Sequence, residues 1–430
     1  MLKNFVKYVS QNMLGMVGMS LYILADTYFI SVAVGADGIT ALNLVLPLYN
    51  LIFALGSMIG VGSAIRYVVD RNHQKADSDS YFFHALLWAF LIGLIFVVIG
   101  IFIPDKMIQL LGGDAQIVAT GTSYTRIFMV FAPFFMWNLI CNAFVRNDGA
   151  PSIAMSATLF SSLFNIVCDY VLMFPLGLAM KGAALATGCS PLVGILICGI
   201  HFRSKNCTLK LKPVVPSFKR LLYSCQVGIS SFVAEISSGV ITVVFNMIIL
   251  SLAGNTGVAA YGVVANTSLV AVALFNGIAQ GSQPLISAFY SKGQKSDIYT
   301  VLKMALCTSL GTAVLLYSCI FLFASNITAV FNGEQNMALA AYAQSGLRLY
   351  FIGFLFAGIN IIGTASLSAV EAAKYAFAAS VSRGFITIIL FAFLLSALLG
   401  LSGVWLAFPA AEFVTMLITL YGLRKTISKA

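Results

Sequence analysis

Four carboxylic acids lie inside long apolar stretches of this sequence, where an ionised side chain is costly. They are Asp26, Asp169, Glu235 and Glu412, among 14 Asp and Glu residues in the chain. Acidic groups in such a setting normally face a water-filled cavity and serve ion coupling or substrate recognition. The alternative is a carboxyl group that pairs with a neighbouring Asn, Ser or Thr and fixes helix packing. This alternative stays open, above all for Glu235 and Glu412.

Helical spacing predicts that two of these acids share one level with an amide and a hydroxyl. Asn165 precedes Asp169 by four residues, so both side chains occupy the same helix face. At a rise of about 1.5 Å per residue, Asp169 and Thr187 each lie about 8 Å from the outer ends of their helices, and Asp26 about 12 Å. Four oxygen-bearing side chains from three helices are therefore expected to converge in the N-terminal half.

This set of side chains suits a small, hard cation. Oxygen ligands are preferred by such ions, so Asp26, Asn165, Asp169 and Thr187 would be the metal ligands if the ion is Na⁺. Two neighbouring carboxyl groups can equally share a proton. The sequence leaves Na⁺ and H⁺ both open, and it predicts no other cofactor.

The elements that position these residues are predicted from composition. The chain has 430 residues, of which 60% are hydrophobic and 9% charged, whereas about a quarter of a water-soluble protein is charged. The apolar runs are continuous, as from 86 to 103, and lack the alternation of a transmembrane barrel. We therefore predict an all-α integral membrane protein with 12 transmembrane helices, since each span needs about 20 apolar residues.

The net charge of +10 raises the question of a nucleic-acid partner, and the distribution of basic residues argues against one. Only Lys106, Arg126, Lys181 and Arg348, out of 24 Lys and Arg residues, fall on one side of the predicted membrane. The positive-inside rule then predicts that both termini are cytoplasmic. No cleavable signal peptide is expected before the first span. The dispersed Cys and His residues predict no disulfide framework and no enzymatic centre.

An internal repeat divides the chain into two halves. Residues 35–42 match 254–261 at an offset of 219, and residues 181–186 match 402–407 at an offset of 221. Because each half carries six spans, an even number, the two halves have the same orientation in the membrane.

We predict two parallel six-helix lobes, 1–203 and 219–430, joined by a cytoplasmic linker, 204–218, around a central cavity. Such a plan is typical of transporters that work by alternating access. The positions that match Asn165, Asp169 and Thr187 in the second half are Ile386, Leu390 and Phe408. The ion chemistry is therefore expected in one lobe only.

Several motifs, in order along both halves, resemble those of the multidrug and toxic compound extrusion (MATE) family. They are Leu24-Ala-Asp-Thr-Tyr-Phe-Ile30, Arg146-Asn-Asp-Gly-Ala-Pro151, Asn165-Ile-Val-Cys-Asp-Tyr-Val-Leu172, Lys181-Gly-Ala-Ala-Leu-Ala-Thr187 and Gln280-Gly-Ser-Gln-Pro-Leu-Ile-Ser-Ala-Phe-Tyr290. The resemblance covers nearly the whole chain. It implies a multi-pass antiporter that exports bulky lipophilic or cationic compounds in exchange for H⁺ or Na⁺.

The resemblance also implies roles for particular residues. The family's N-lobe cation site falls on Asp26, Asn165, Asp169 and Thr187, and an Asn sometimes grouped with it falls on Asn142. Two departures stand out. Residues 10–12 read Ser-Gln-Asn where many relatives have a proline, which places a proline-hinged first helix in doubt, and residues 347–368 contain no acid. Glu235 and Glu412 remain as C-lobe candidates for substrate binding or coupling.

The predicted partners are small-molecule drugs, organic cations and membrane lipids, and the protein is expected to be a monomer in a prokaryotic plasma membrane. The main alternative is a lipid-linked oligosaccharide flippase of the same superfamily. Such a protein would be expected to have extra spans and cavity arginines, and only Arg126, Arg348 and Arg383 come near the membrane interior. An intramembrane enzyme, a channel and a membrane scaffold are further alternatives.

Overall fold

The computed structural model describes residues 1–75, 78–332 and 335–427, and throughout these ranges the regular structure is helical. Lys429, one of the basic residues predicted to be cytoplasmic, lies outside them. The α-helices are α1 (Leu2–Val34), α2 (Ala36–Asn72), α3 (Tyr81–Phe102), α4 (Pro104–Leu110), α5 (Ala115–Val130), α6 (Ala132–Asn147), α7 (Pro151–Met173), α8 (Ala179–Ile200), α9 (Phe218–Ser291), α10 (Lys295–Phe331), α11 (Met337–Tyr350), α12 (Phe354–Ala369), α13 (Ala373–Val381), α14 (Thr387–Leu399) and α15 (Leu401–Ile427).

The helical architecture follows from the apolar sequence. In lipid every backbone polar group must be bonded within the protein, and a helix does this within one segment. Ten helical stretches in the described part of the chain are long and apolar enough to cross a membrane, and the pair α5 and α6, bent by 48° at its break, makes an eleventh. Two of the ten are α11 with α12 and α13 with α14, which are joined by a 3₁₀ turn and a π-helical turn. Because α9 is itself broken at Gly254, its two segments bring the number to the predicted twelve.

Two glycines at equivalent places in the repeat end the first span of each half. Gly35 has φ 82° and ψ −155°, and Gly254 has φ 61° and ψ −159°. Residues with a side chain rarely adopt these angles, whereas glycine does so readily. The repeat found at an offset of 219 is thus expressed as the same backbone turn in both halves.

The helices pack as two compact units that divide the chain within α1 and α9. One unit is Leu14–Ile236, and the other is Met1–Met13 together with Ser237–Ala430. Packing therefore assigns the start of α9 to the unit that contains most of the predicted N-terminal lobe. The lobe boundaries at 203 and 219, which come from the polar, basic stretch between the two halves, stay a prediction.

The beginning of α9 is held in the first unit by a close approach of backbones. A Cβ atom on Gly62 of α2 would lie 2.1 Å from the Ser224 carbonyl oxygen, and one on Gly228 would lie 2.0 Å from the Met58 carbonyl oxygen. Small residues allow membrane helices to approach this closely. In the second unit, Gly281 makes the equivalent approach to the backbone of Val9.

Candidate functional site

The four residues predicted to form the ion site lie on three helices of the unit Leu14–Ile236. Asp26 is on α1, Asn165 and Asp169 are on α7, and Thr187 is on α8. All four are buried, and Asn165 and Asp169 are 0% exposed. One helical turn separates Asn165 from Asp169, as their spacing predicts, and α8 packs closely along α7.

The Asn165 amide connects the acid on α7 with α8. When its nitrogen faces the carboxylate, it donates to Asp169 Oδ2 at 3.0 Å, and its oxygen accepts from the Thr187 backbone N–H at 3.3 Å. This orientation satisfies both ends of the amide and is assigned on that ground. In the opposite orientation the nitrogen lies 3.3 Å from Thr187 Oγ1. Either way Asn165 and Thr187 are direct neighbours.

Two carboxylate oxygens at this site lack a hydrogen-bond partner among the described residues. They are Asp26 Oδ1 and Asp169 Oδ1, and both are buried. The two carboxyl groups also lie close enough to repel each other when both are ionised. A buried acceptor without a partner destabilises the fold by about 1–3 kcal/mol. A proton or a cation bound here would remove both costs.

Two tyrosines that the sequence reasoning missed contribute hydroxyl groups near the acids. Tyr22 lies four residues before Asp26 on α1, and Tyr124 lies on α5. Both interact electrostatically with Asp26 and Asp169, and the Tyr124 hydroxyl lies near the Thr187 side chain. The four-residue spacing from Asp26 could have revealed Tyr22. No spacing in the sequence connects Tyr124 with the site.

Asn142 lies in a separate polar cluster. Its Nδ2 donates to the backbone oxygen and to Oδ1 of Asn138, both at 3.0 Å. The Thr158 hydroxyl donates to Asn142 Oδ1 at 3.4 Å. These hydrogen bonds join α6 to α7, and none of those described connects Asn142 with Asp26 or Asp169.

Glu235 packs in the same unit as the four site residues, although it follows the predicted linker in sequence. It interacts electrostatically with Tyr49 of α2, and the Tyr49 hydroxyl lies 3.1 Å from the Tyr22 hydroxyl. Tyr22 in turn neighbours Asp26. A series of polar groups therefore leads from Glu235 toward the acid on α1.

Glu412 on α15 is buried and paired. Its Oε1 accepts from Arg383 Nε, and its Oε2 accepts from Asn360 Nδ2 at 2.7 Å. Arg383 lies in a π-helical turn, Ser382–Ile386, between α13 and α14. Thr419 Oγ1 donates to Asn360 Oδ1 at 3.0 Å. The carboxylate thus holds α12, α15 and the π-helical turn together.

In the second half, the positions that match Asn165, Asp169 and Thr187 have side chains without oxygen atoms. Ile386 and Leu390 are 62% and 57% exposed, which suits the lipid-facing surface of a membrane protein. Phe408 stacks on Tyr350 with ring centroids 4.2 Å apart. Apolar packing replaces the carboxylate, the amide and the hydroxyl at these three positions.

Comparison with known proteins extends over nearly the whole chain. The MatE family model matches residues 12–171 and 231–394. The multidrug export protein MepA of Staphylococcus saprophyticus is 26% identical over 438 residues, covering 100% of this chain and 96% of that protein. MepA of Staphylococcus aureus strain NCTC 8325 is 27% identical over 416 residues, covering 95% of this chain and 90% of that protein.

Solved structures share the fold. An outward-facing multidrug resistance MATE family transporter of the MOP superfamily superposes with a TM-score of 0.92 at 22% identity, covering 100% of this chain and 97% of that one. A MOP superfamily transporter from Pyrococcus furiosus superposes with a TM-score of 0.91 at 22% identity, covering 99% and 96% of the two chains. Members of the matched family are transporters and not enzymes. Since its model matches well over half of the residues, in both halves of the repeat, this chain belongs to the MatE family.

Proposed function

We propose that this protein is a secondary active multidrug exporter that moves bulky lipophilic and cationic compounds across the cell membrane in exchange for H⁺ or Na⁺. The MepA relatives, which are named as multidrug export proteins, support the substrate class. The observation that carries the coupling proposal is the pair of buried, unpartnered carboxylate oxygens on Asp26 and Asp169.

The proposed coupling set is Asp26, Asn165, Asp169 and Thr187. For Na⁺, the set offers carboxylate, amide and hydroxyl oxygens, the ligand type that hard cations prefer. For H⁺, the set offers two carboxyl groups close enough for one to stay protonated while the other is ionised. Asn142 belongs to the neighbouring Asn138–Thr158 cluster and would act on the set only through packing of α6 against α7.

Coupling requires that the ion and the drug each bind one state of the transporter better than the other. Without a bound ion, the carboxylates of Asp26 and Asp169 repel each other, and each has an oxygen without a hydrogen-bond partner among the described residues. We infer that ion binding relieves these costs in one state and that drug binding favours the other. Alternating exposure of the two ligands to opposite sides of the membrane then gives exchange.

Glu235 is the proposed contact for the positive charge of a substrate. The hydroxyl of its neighbour Tyr49 lies 3.1 Å from the Tyr22 hydroxyl. A cation bound at Glu235 would therefore influence Asp26 through these two hydroxyl groups. Glu412 is proposed to stabilise the helix packing around it, because Arg383 and Asn360 already satisfy its charge.

Membrane placement is part of the proposal. The asymmetric distribution of Lys and Arg supports a plasma-membrane protein with both termini in the cytoplasm. A monomer is proposed as the working unit. Labelling of cysteines introduced at the two termini in intact and in opened cells tests the orientation, since cytoplasmic termini react only after opening.

The function is tested by ethidium efflux from proteoliposomes under an imposed pH gradient or an imposed Na⁺ gradient. We expect efflux driven by one gradient in the wild type and a loss of about 100-fold in Asp169→Asn. A matched control is Asp105→Asn, which removes an acid in the first turn of α4 and should leave efflux unchanged. Absence of gradient-driven efflux by correctly folded wild type would overturn the proposed antiport, and full efflux by Asp169→Asn would overturn the site.

A further inference from the structure

Three metal-ligating side chains meet where α6 and α8 end. Asp148 follows α6, His201 begins the 3₁₀ turn after α8, and Cys207 lies in the segment that leads to α9. One ligand atom of each residue, a carboxylate oxygen, an imidazole nitrogen and the thiol sulfur, lies within 4.8 Å of the other two. The spacing of the three residues in the sequence does not form a recognisable metal-binding motif, so only the fold reveals the cluster.

The cluster is shielded from solvent on one side and accessible on the other. The Asp148 and His201 side chains are 0% and 2% exposed, while Cys207 is half-buried. His201 Nδ1 is buried and has no hydrogen-bond partner among the described residues. Cys207 Sγ makes a long contact of 3.9 Å with the Leu209 carbonyl oxygen and also interacts with the Asp148 carboxylate. The thiol therefore already lies beside the other two ligand atoms.

Surrounding groups hold the Asp148 carboxylate in place. The backbone N–H of Thr208 donates to its Oδ2 at 2.8 Å, and Arg71 donates to its Oδ1 at 3.2 Å. The Tyr67 hydroxyl donates to the same oxygen at 3.3 Å. Partners that orient a ligating carboxylate in this way are a common feature of protein metal sites.

We propose that Asp148, His201 and Cys207 bind a transition-metal ion of the Zn²⁺ class. Zn²⁺ accepts sulfur, nitrogen and oxygen ligands, and three protein ligands with a water in the fourth position are a common arrangement. The thiol excludes Ca²⁺ and Mg²⁺, which take oxygen ligands. This site is separate from the ion-coupling residues and does not depend on the proposed transport function.

Binding requires two local changes. His201 Nε2 lies 2.8 Å from Asp148 Oδ2, and the proton of this hydrogen bond would have to leave Nε2. The neutral ring would carry its one proton on Nδ1, which has no partner among the described residues, so that Nε2 and Oδ2 could each donate an electron pair to the ion. Cys207 would lose its proton to solvent and bind as thiolate, with no change of oxidation state. The bound ion would fix the segment around Cys207 to the ends of α6 and α8.

The test is a Co²⁺ titration of the purified full-length protein in detergent, after treatment with a chelator. Co²⁺ bound to a thiolate absorbs in the near ultraviolet, so the signal reports Cys207 directly and needs no transport assay. We expect one Co²⁺ per chain, displaced by Zn²⁺, and at least a tenfold weaker affinity with loss of the thiolate band in Cys207→Ser. Cys307→Ser, which changes an exposed cysteine on α10, should bind like the wild type.

Two results would overturn the site: no stoichiometric Co²⁺ binding to folded wild type, or an unchanged thiolate band in Cys207→Ser. His201→Gln provides a second variant, and it should lose affinity while keeping the elution profile of the wild type. Zn²⁺ should also protect Cys207 from alkylation, as measured by mass spectrometry of the peptide that contains it. Alkylation of Cys207 at the same rate with and without Zn²⁺ would contradict the proposal.

Discussion

The carboxylates of Asp169 and Glu412 are both buried in apolar helices, but their surroundings differ. Asp169 receives one amide hydrogen bond, keeps one oxygen without a partner and faces a second acid, Asp26. Glu412 is bonded to a guanidinium and an amide. The bonded charge of Glu412 stabilises packing, whereas the unmet oxygen of Asp169 is available for a ligand. Burial is common to both acids, so the proposed role of Asp169 in ion coupling depends on its unmet oxygen.

The largest expected effect is on Asp169. Asp169→Asn should lower gradient-driven ethidium efflux about 100-fold, near the upper end of typical coupling energies. The thermal midpoint of the purified protein should not fall, because the change removes a carboxylate oxygen that lacks a partner. Efflux in proteoliposomes and melting in detergent check the two parts. A large drop in the melting temperature would place Asp169 with the structural acids and remove the contrast with Glu412.

Arg383→Met should have the opposite effects, with stability lowered and efflux retained. It leaves Glu412 buried without its cation, and we expect a loss of about 2 kcal/mol in stability, less than for a fully buried pair because a quarter of the Arg383 side chain is exposed. The folded protein that remains should retain efflux. Arg348→Met, which changes an exposed arginine on α11, serves as the matched control in the same melting assay. Equal stability of the two variants would show that the Arg383–Glu412 pair does not hold the helices.

Thr187→Val sharpens the choice of ion. The variant keeps the shape of the side chain but removes its oxygen, so Na⁺-driven efflux should fall about tenfold if Na⁺ is the coupling ion, the equivalent of ~1.4 kcal/mol for one lost ligand. Proton-driven efflux should change little, because a proton needs only the carboxyl groups. Parallel assays under the two gradients separate these cases. An equal loss under both would mean that Thr187 acts through packing and is not an ion ligand.

The smallest expected effect is at Asn142. Its hydrogen bonds go to Asn138 and Thr158, so Asn142→Ser should leave the ion dependence of efflux unchanged and lower stability by about 1 kcal/mol. The half-maximal ion concentration for efflux is the quantity to measure. A tenfold shift of that concentration would place Asn142 among the coupling residues after all.

The positions of most residues in the proposed ion site could be predicted because they follow helix geometry. A constant rise per residue sets the depth of Asp26, Asp169 and Thr187, and a four-residue spacing sets the shared face of Asn165 and Asp169. The repeat matches Gly35 with Gly254 in sequence, and the two residues have similar backbone angles with positive φ.

What could not be predicted depends on which helices become neighbours. Tyr124 approaches the site from α5, and Arg383 reaches Glu412 from a π-helical turn, a local distortion with no clear sequence pattern here. By sequence, Glu235 belongs to the predicted second lobe, but it packs in the unit Leu14–Ile236. The close glycine contacts between α2 and α9 that hold this part of α9 depend on tertiary packing, which the sequence does not give.

We propose that substrate binding favours release of the ion held by Asp26 and Asp169, and ion release on substrate addition tests this coupling most directly. Ethidium is added to purified protein in a weakly buffered solution, and the released protons or Na⁺ ions are measured with a pH indicator and a sodium electrode. We predict release from the wild type and none from the folded Asp26→Asn/Asp169→Asn double variant. Equal release from both proteins would contradict the account, since the exchanged ion would then be bound elsewhere.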